Sequence, residues 1–368
     1  MHFGKILLLS ALCALVFLAG CGAPEPNPTS QPTAVPTTQP TAIPTTEPTA
    51  IPTTEPTAIP TTQPTAIPTT EPTAAPSVVP EEAKIASPDD LEKMRQDPAG
   101  EYFLVCDLFL EGGFQPIPSF SGVFHGGNHV IYGLSLSLAS ERTKTGLILQ
   151  NTGTIEDLTL SAPKMQIDNL AKDVTAGFFA AENGGTLKNV KITDGEISLT
   201  DNFMSGGKTL TFGGLCGKNT GTVSGSATLS ADLYSHGLAT SGSSGKQIAA
   251  FGGAVGENAG ICTDLTVQCD LVYNAALMTD NSISRSTMTA YMGGAVGTND
   301  GTVQNASVSG EVTCYFDFNP TPLQFLNAAY VGGIAGKNTG ILNNVHSSAS
   351  LSCNAYYANT DEIAGISE

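Results

Sequence analysis

The sequence predicts an all-β protein built as a β-solenoid, in which short strands stack coil upon coil. A motif of glycines and one asparagine recurs about every 40 residues in the second half of the chain, and alternating apolar and polar residues follow each copy. With 40 Gly, no Trp and 15 Lys and Arg in 368 residues, the composition is a poor match to a helical bundle or coiled coil. The net charge of −18 argues against a nucleic acid partner, because the chain has too few cations to neutralise a run of phosphates.

Residues 1–20 are typical of a signal peptide. Lys5 precedes an apolar run from Ile6 to Leu18, which is too short to span a membrane. The run ends at Leu18, Ala19, Gly20 and Cys21, which resembles the lipobox of bacterial lipoproteins. The resemblance implies that the Cys21 thiol carries a diacylglycerol. This acyl anchor would hold the protein at the outer face of the bacterial membrane, each buried methylene adding about 0.8 kcal/mol of membrane affinity. The alternative is an ordinary secretion signal followed by a chance cysteine.

Residues 21–80 predict a disordered, proline- and threonine-rich stalk. An eight-residue repeat begins at Pro32 and returns from Pro40, Pro48, Pro56 and Pro64. A proline at every fourth position removes backbone donors and fixes φ, so neither helix nor sheet can form. An extended polyproline II segment of some 58 residues reaches about 180 Å at about 3.1 Å per residue. We expect it to hold the following domain away from the membrane.

The domain predicted for residues 81–368 opens with a short helix and capping strands over residues 84–140. Ser87 is placed to cap a helix with Pro88 at its first position and acidic residues in its first turn. Asp97 to Gly100 ends the helix, and strands with glycine turns follow.

Repeats fill residues 146–368. The clearest copies of the motif cover 213–221, 252–260, 293–301 and 332–340, with looser copies at 146–153 and 177–185. Glycine and asparagine tolerate left-handed φ, so we expect turn geometry of that kind at the second glycines, Gly214, Gly253, Gly294 and Gly333. Identical residues in stacked coils lie above one another. The spacing therefore predicts an asparagine ladder of Asn219, Asn258, Asn299 and Asn338, and an apolar column of Phe212, Phe251, Met292 and Val331.

The motif Gly-Gly-x-x-Gly-x-Asn-x-Gly followed by a strand resembles the GLUG repeat of bacterial surface proteins. The segment Phe124-His125-Gly126-Gly127-Asn128-His129-Val130-Ile131 is similar to one that precedes such repeats. The resemblance covers roughly residues 84–368, with departures at Phe114, where the family often has Trp, and at His125, where it usually has Asp. It implies a right-handed parallel β-helix. Similar repeats occur in adhesin-like proteins and in the non-catalytic regions of IgA-cleaving metalloproteases.

No motif in the chain predicts catalysis, a metal or a cofactor. A zinc protease needs His-Glu-x-x-His on a helix, which is absent. His125 and His129 are four apart, but Gly126 and Gly127 oppose a helix between them, so we do not expect a metal there. The acidic residues are scattered, and no pair recurs in neighbouring repeats as a polysaccharide lyase or hydrolase would need.

Cys314 and Cys353 share one repeat position and should stack in adjacent coils. Strand spacing allows a disulfide, but parallel Cβ directions make its torsion awkward. We therefore favour free buried thiols over a disulfide.

The tyrosines are the best candidates for ligand binding. Tyr291 and Tyr330 share a repeat position, and Tyr315, Tyr356 and Tyr357 are expected to form a second cluster with Phe316 and Phe318. Partly buried wall residues are the alternative interpretation. The segments around 280–289 and 319–327 are the variable loops on this scaffold.

Together these features predict a cell-surface lipoprotein that presents an adhesion or ligand-binding module, without catalysis. Its partner would be a host or matrix protein or a glycan. A polysaccharide-acting β-helix enzyme and a structural or partial surface module are the alternatives. The partial module is an alternative because the closing residues Ala364-Gly365-Ile366 look like the start of one more motif that is cut short.

Overall fold

The structure is a computed structural model that describes residues 79–138, 142–168, 173–203, 208–239, 246–279, 287–318, 326–355 and 357–367. The predicted signal peptide, Cys21, nearly all of the stalk and Tyr356 lie outside these residues. Among the described residues, no helix is long and apolar enough to cross a bilayer.

The described residues form a parallel β-solenoid, which confirms the predicted fold. Three sheets run along the molecule, and strands paired within them are parallel. A repeat coil passes from sheet 1 to sheet 2, turns sharply at its two glycines, forms a strand of sheet 3 and re-enters sheet 1. Equivalent residues of successive coils, such as Gly252 and Gly293, are register partners, so the period read from the sequence is the length of one coil.

Sheet 1 carries short strands at its N-terminal end and long ones in its centre. The short strands are Lys84–Ile85, Glu101–Leu104, Leu108–Phe109, Val123–His125, Val130–Tyr132, Ser135–Leu138, Thr154–Glu156, Thr159–Ser161 and Lys164–Asp168. The long strands are Thr186–Phe203, Thr222–Ala239, Ile261–Thr279 and Thr302–Phe318. The sheet closes with Ile341–Ser347 and Ser350–Cys353.

Sheets 2 and 3 contain one strand from each repeat coil. The strands of sheet 2 are Lys144–Thr145, Val174–Gly177, Thr209–Gly213, Lys246–Gly252, Thr287–Gly293, Leu326–Gly332 and Tyr357–Asp361. The strands of sheet 3 are Ile148–Asn151, Ala180–Asn183, Cys216–Asn219, Val255–Asn258, Val296–Asn299, Ala335–Asn338 and Ala364–Ser367.

A short helix, Leu91–Gln96, packs on the N-terminal coil as predicted. It begins later than Ser87, because Pro88–Asp90 forms a tighter 3₁₀ turn first. The Asp90 carboxylate accepts hydrogen bonds from the backbone N–H and the hydroxyl of Ser87, both at 2.8 Å. The nearby Lys93 ammonium is the main cause that lowers the pKa of Asp90 to about 2. Leu91 and Met94 are buried and belong to the same apolar core as the strands.

The core lies between the inward faces of the three sheets. Phe212, Phe251, Met292 and Val331 are register partners in sheet 2, which confirms the predicted apolar column. The alternate residues of strand Ile261–Thr279 that face them, from Leu265 to Tyr273, are also buried. The Phe251 and Tyr273 rings meet at a centroid distance of 5.0 Å and an angle of 69°, an edge-to-face contact that ties the two sheets together.

The repeat glycines serve close backbone approach, and the expectation of left-handed φ is wrong. Positive φ occurs at other positions, and Gly214, Gly253, Gly294 and Gly333 are not among them. A Cβ on Gly253 would instead collide with the carbonyl oxygen of Gly294 in the next coil. The first glycines act in the same way between sheets 2 and 3, where a Cβ on Gly252 would meet the backbone of Gly297. Glycine is required because the coils leave no space for a side chain.

The last described coil departs from the motif. Ala364–Ser367 pairs in register with Ala335–Asn338, so these residues occupy the sheet 3 positions of one more copy of the motif, with Ser367 in the place of the asparagine. Asp361 pairs with Gly332, and Glu362 follows it where the earlier coils have their second glycine. The Asp361 carboxylate accepts hydrogen bonds from the backbone N–H groups of Ile363 and Ala364, which replaces the glycine turn with a side-chain-capped one.

Candidate functional site

The asparagines form a continuous ladder in a buried row of sheet 3. Each side-chain Nδ2 donates to Oδ1 of the asparagine in the next coil: Asn219 to Asn258 at 2.8 Å, Asn258 to Asn299 at 2.7 Å, and Asn299 to Asn338 at 2.7 Å. The ladder begins earlier than predicted, at Asn151 and Asn183 in the two looser copies of the motif. Its members except Asn338 are at most 2% exposed, so the ladder holds the coils in register and cannot contact a ligand.

A second, exposed row of asparagine and aspartate residues was missed by the sequence analysis. Asp157, Asn189, Asp264, Asn305 and Asn344 adopt left-handed φ between 49° and 54° just after the start of their sheet 1 strands. Their side chains also bond from coil to coil, as from Asn344 Nδ2 to Asn305 Oδ1 at 2.8 Å. The signal was present in part, because an Asn or Asp recurs three residues after the strand's first residue in each of these coils, although the strand that begins at Thr222 has Gly225 there.

Tyr291 and Tyr330 form a stacked pair on sheet 2. They are direct register partners, and their ring centroids lie 5.4 Å apart with an angle of 15° between the planes. Ala290 and Met292 flank Tyr291 and are buried, so both tyrosines alternate away from the core. The rings are half-buried. The pair is thus a rigid aromatic surface fixed by strands of two neighbouring coils.

A lysine of sheet 3 occupies the position beside this tyrosine pair. In an earlier coil, the Thr211 hydroxyl donates to Glu257 Oε1 at 2.9 Å across the gap between sheets 2 and 3. Tyr291 lies in the register column of Thr211, and Lys337 lies in the column of Glu257. The sheets remain close here, because a Cβ on Gly336 would collide with the backbone of Tyr291. We call Tyr291, Tyr330 and Lys337 the tyrosine platform.

The described tyrosines of the second predicted aromatic cluster, Tyr315 and Tyr357, lie on two different sheets. Tyr315 is 42% exposed and lies on sheet 1, whereas Tyr357 is 53% exposed and lies on sheet 2 as the register partner of Ala328. Phe316 points inward and contacts the Tyr273 ring edge-to-face at 6.4 Å. Tyr315 and Phe316 alternate across one strand, and the chain turns into another sheet before Tyr357.

His125 lies in a chain of polar side chains across the outer side of sheet 1. Its Nδ1 is 2.8 Å from Glu156 Oε1, and its Nε2 is 3.0 Å from Glu101 Oε1. Lys188 Nζ continues the chain at 3.0 Å from Glu156 Oε2. Hydrogen bonds from Lys188 and His125 lower the pKa of the Glu156 carboxyl. Thus His125 bridges two carboxylates.

No group of three or more histidine, cysteine or acidic side chains in the described ranges is arranged to hold a metal ion. His129 makes a separate contact from His125, with Nδ1 3.2 Å from Asp107 Oδ1. The described cysteines are free thiols, including the register partners Cys314 and Cys353, which confirms the preference for thiols over a disulfide.

Comparison of the fold with solved structures found similarity to proteins named as immunoglobulin A1 proteases. A Bacteroides ovatus protein provisionally named as such is 14% identical with a TM-score of 0.43, over 77% of this chain and 83% of that one. A second structure, named IgA1 protease, is 18% identical with a TM-score of 0.42, over 78% of this chain. This chain spans only 21% of that protein. No family model and no curated protein matches the sequence.

Proposed function

We propose that this protein is a lipid-anchored cell-surface protein whose β-solenoid acts as a ligand-binding module without catalysis. The lipobox-like Leu18 to Cys21 and the proline-rich stalk support the surface location. The solenoid supports the binding role, because rigid stacked strands hold side chains at fixed positions. The partner is a glycan or a host or matrix protein.

The tyrosine platform is the observation that carries the binding role. Two parallel rings on adjacent strands present aromatic surface with little conformational freedom left to lose on binding. Lys337 occupies the adjoining position on sheet 3 and supplies a cation within the same surface. An aromatic face with a neighbouring ammonium suits the apolar face of a sugar ring or an aromatic or acidic side chain of a protein.

The experiment is binding of the full chain to glycan and matrix-protein arrays, followed by titration of each hit. We expect Tyr330→Ala to weaken the Kd at least roughly tenfold, as the loss of a binding hot spot does, and Tyr330→Phe to retain most of the affinity. Tyr315→Ala is the matched control, because it removes an exposed tyrosine from a different sheet. Absence of binding across both arrays, or equal effects of Tyr330→Ala and Tyr315→Ala, would contradict the proposal.

The polysaccharide-acting enzyme has one observation in its favour, the chain Glu101–His125–Glu156–Lys188. Glu101 also borders a cavity of 370 Å³ beside the N-terminal helix. The lowered pKa of Glu156 opposes a role as a general acid near neutral pH, because the carboxyl would be ionised. Release of reducing ends from an array polysaccharide, abolished by His125→Ala, would favour the enzyme over the binding module.

A further inference from the structure

Cys314 and Cys353 are paired side by side across strands Thr302–Phe318 and Ser350–Cys353 of sheet 1. They are direct register partners in parallel strands, and both are free thiols. Cys314 is buried with no exposed surface, whereas Cys353 is half-buried and reachable from solvent. Adjacent strands lie about 4.8 Å apart, which is within the Cα separation that a disulfide spans.

The environment of Cys353 differs from that of the buried cysteines. Burial raises the pKa of Cys262 and Cys269 to about 12, and it raises the pKa of Cys216 well above its ordinary value. The pKa of Cys353 is instead lowered, to about 7. The main cause is a hydrogen bond from the Cys314 thiol, and the backbone N–H of Ala355 lowers it further. Burial, together with the contact to Cys353, raises the pKa of Cys314 well above its ordinary value. Near neutral pH, Cys353 is therefore partly ionised while Cys314 keeps its proton.

The position of the pair in the fold allows the small movement that a disulfide requires. Strand Ser350–Cys353 pairs only with Thr302–Phe318 among the described strands, and its residues are exposed or half-buried. A strand with a neighbour on one side can twist without disturbing a second ladder. The awkward Cβ directions of a parallel pair can therefore be relieved here, as they could not be in a central coil.

We propose that Cys353 and Cys314 form a dithiol redox site that reacts with small-molecule disulfides and closes into an intramolecular disulfide. The Cys353 thiolate attacks one sulfur of a disulfide RSSR, forming a mixed disulfide and releasing one RS⁻. Cys314 then loses its proton to the released thiolate and attacks Sγ of Cys353, which expels the second RS⁻. The two protein thiols are oxidised, and RSSR is reduced to one RSH and one RS⁻.

The first test measures alkylation of the full chain by iodoacetamide against pH, with peptide mass spectrometry reporting each cysteine. We expect Cys353 to react with a midpoint near pH 7. At pH 7 it should react roughly fivefold faster than an ordinary thiol of equal exposure, because its larger thiolate fraction outweighs its lower nucleophilicity. Cys106 is the internal control, because it is also half-buried and its thiol donates to a carbonyl, that of Ala86 at 3.3 Å.

The second test treats the reduced full chain with oxidised glutathione. We expect a transient adduct on Cys353, followed by loss of both thiols and a cross-linked Cys314–Cys353 peptide. Cys314→Ser should retain the glutathione adduct on Cys353, and Cys353→Ser should leave Cys314 unmodified. Cys106→Ser should leave the cross-link unchanged.

Equal alkylation rates at Cys353 and Cys106 would overturn the proposal, and so would an adduct on Cys353 that never resolves in the wild-type chain. Both outcomes are read in the unmutated protein. The test therefore holds even if Cys314→Ser, which changes a buried residue, prevents folding.

Discussion

At the scale of single residues, the asparagine ladder shows what a buried carboxamide contributes to a solenoid. Each asparagine inside the ladder donates to the next coil and to its own turn, as Asn258 does to Asn299 Oδ1 and to the carbonyl of Gly260. It also accepts from the coil before it. Asparagine can satisfy both neighbours because its side chain carries a donor and an acceptor, which no aliphatic side chain provides.

We predict that Asn258→Ala lowers the free energy of unfolding by about 2–3 kcal/mol. The substitution removes the donor to Asn299 Oδ1 in a buried site. It also removes the Oδ1 acceptor of Asn219 Nδ2, which then keeps only the carbonyls of Gly221 and Ile261. Chemical denaturation of the full chain measures the change. Asn343→Ala, an exposed asparagine of a sheet 1 strand, should change stability by less than about 0.5 kcal/mol. A similar loss in both variants would show that the ladder is not the cause.

The sequence predicted individual residues well where the repeat imposed their neighbours. Asn219 and Phe251 could be assigned partners because identical positions stack, whatever the handedness or cross-section of the coil. Lys337 could not be placed beside Tyr291 in this way, because the two residues lie on different sheets and their proximity depends on how tightly each coil turns. The exposed row that includes Asn305 was not predicted, because its residue type varies between Asn and Asp and one coil has Gly225 in its place.

At the scale of elements, the glycine turn determines how closely sheets 2 and 3 approach. The motif was recognised correctly, but the reason for its glycines was wrong, since space and not φ requires them. A sequence shows that glycine recurs, but it cannot show whether a position needs glycine for its freedom of φ or for its lack of a side chain. The helix start illustrates the same difficulty, because Ser87 and Pro88 favour either an α-helix or the 3₁₀ turn that forms.

We predict that Gly253→Ala destabilises the protein by more than about 3 kcal/mol. The added methyl would collide with the Gly294 carbonyl oxygen of the next coil, and both groups lie on backbone that cannot move independently. Gly113→Ala is the matched control, because a Cβ there meets nothing within 4 Å. Thermal unfolding of both variants distinguishes steric exclusion from a general intolerance of glycine replacement, which would lower both Tm values equally.

At the scale of the whole molecule, stability is a sum over coils and their interfaces, as in other repeat proteins. Central coils are stacked on both sides, and their inward residues are almost completely buried. The last described coil differs, because the residues of its sheet 2 strand Tyr357–Asp361 are exposed.

We therefore predict a gradient of local stability along the solenoid. Backbone amides of Tyr357–Asp361 should exchange with solvent at least roughly tenfold faster than those of Thr287–Gly293, because the residues of this strand are exposed and their local opening breaks fewer contacts. Hydrogen exchange followed by mass spectrometry measures both segments in one sample. Uniform exchange rates from coil to coil would indicate a single cooperative unit and contradict this view.

The ladder of asparagines also gives the solenoid an electric dipole along its axis. Every side-chain amide in it donates toward the C-terminal end, so the dipoles add head to tail along the axis, and each bond polarises the next. At the N-terminal end the row stops on an acceptor, because the buried Oδ1 of Asn151 receives no hydrogen bond. The interior of this molecule therefore carries an aligned row of side-chain dipoles comparable to a helix macrodipole, negative toward the N-terminal coil and positive toward the C-terminal one.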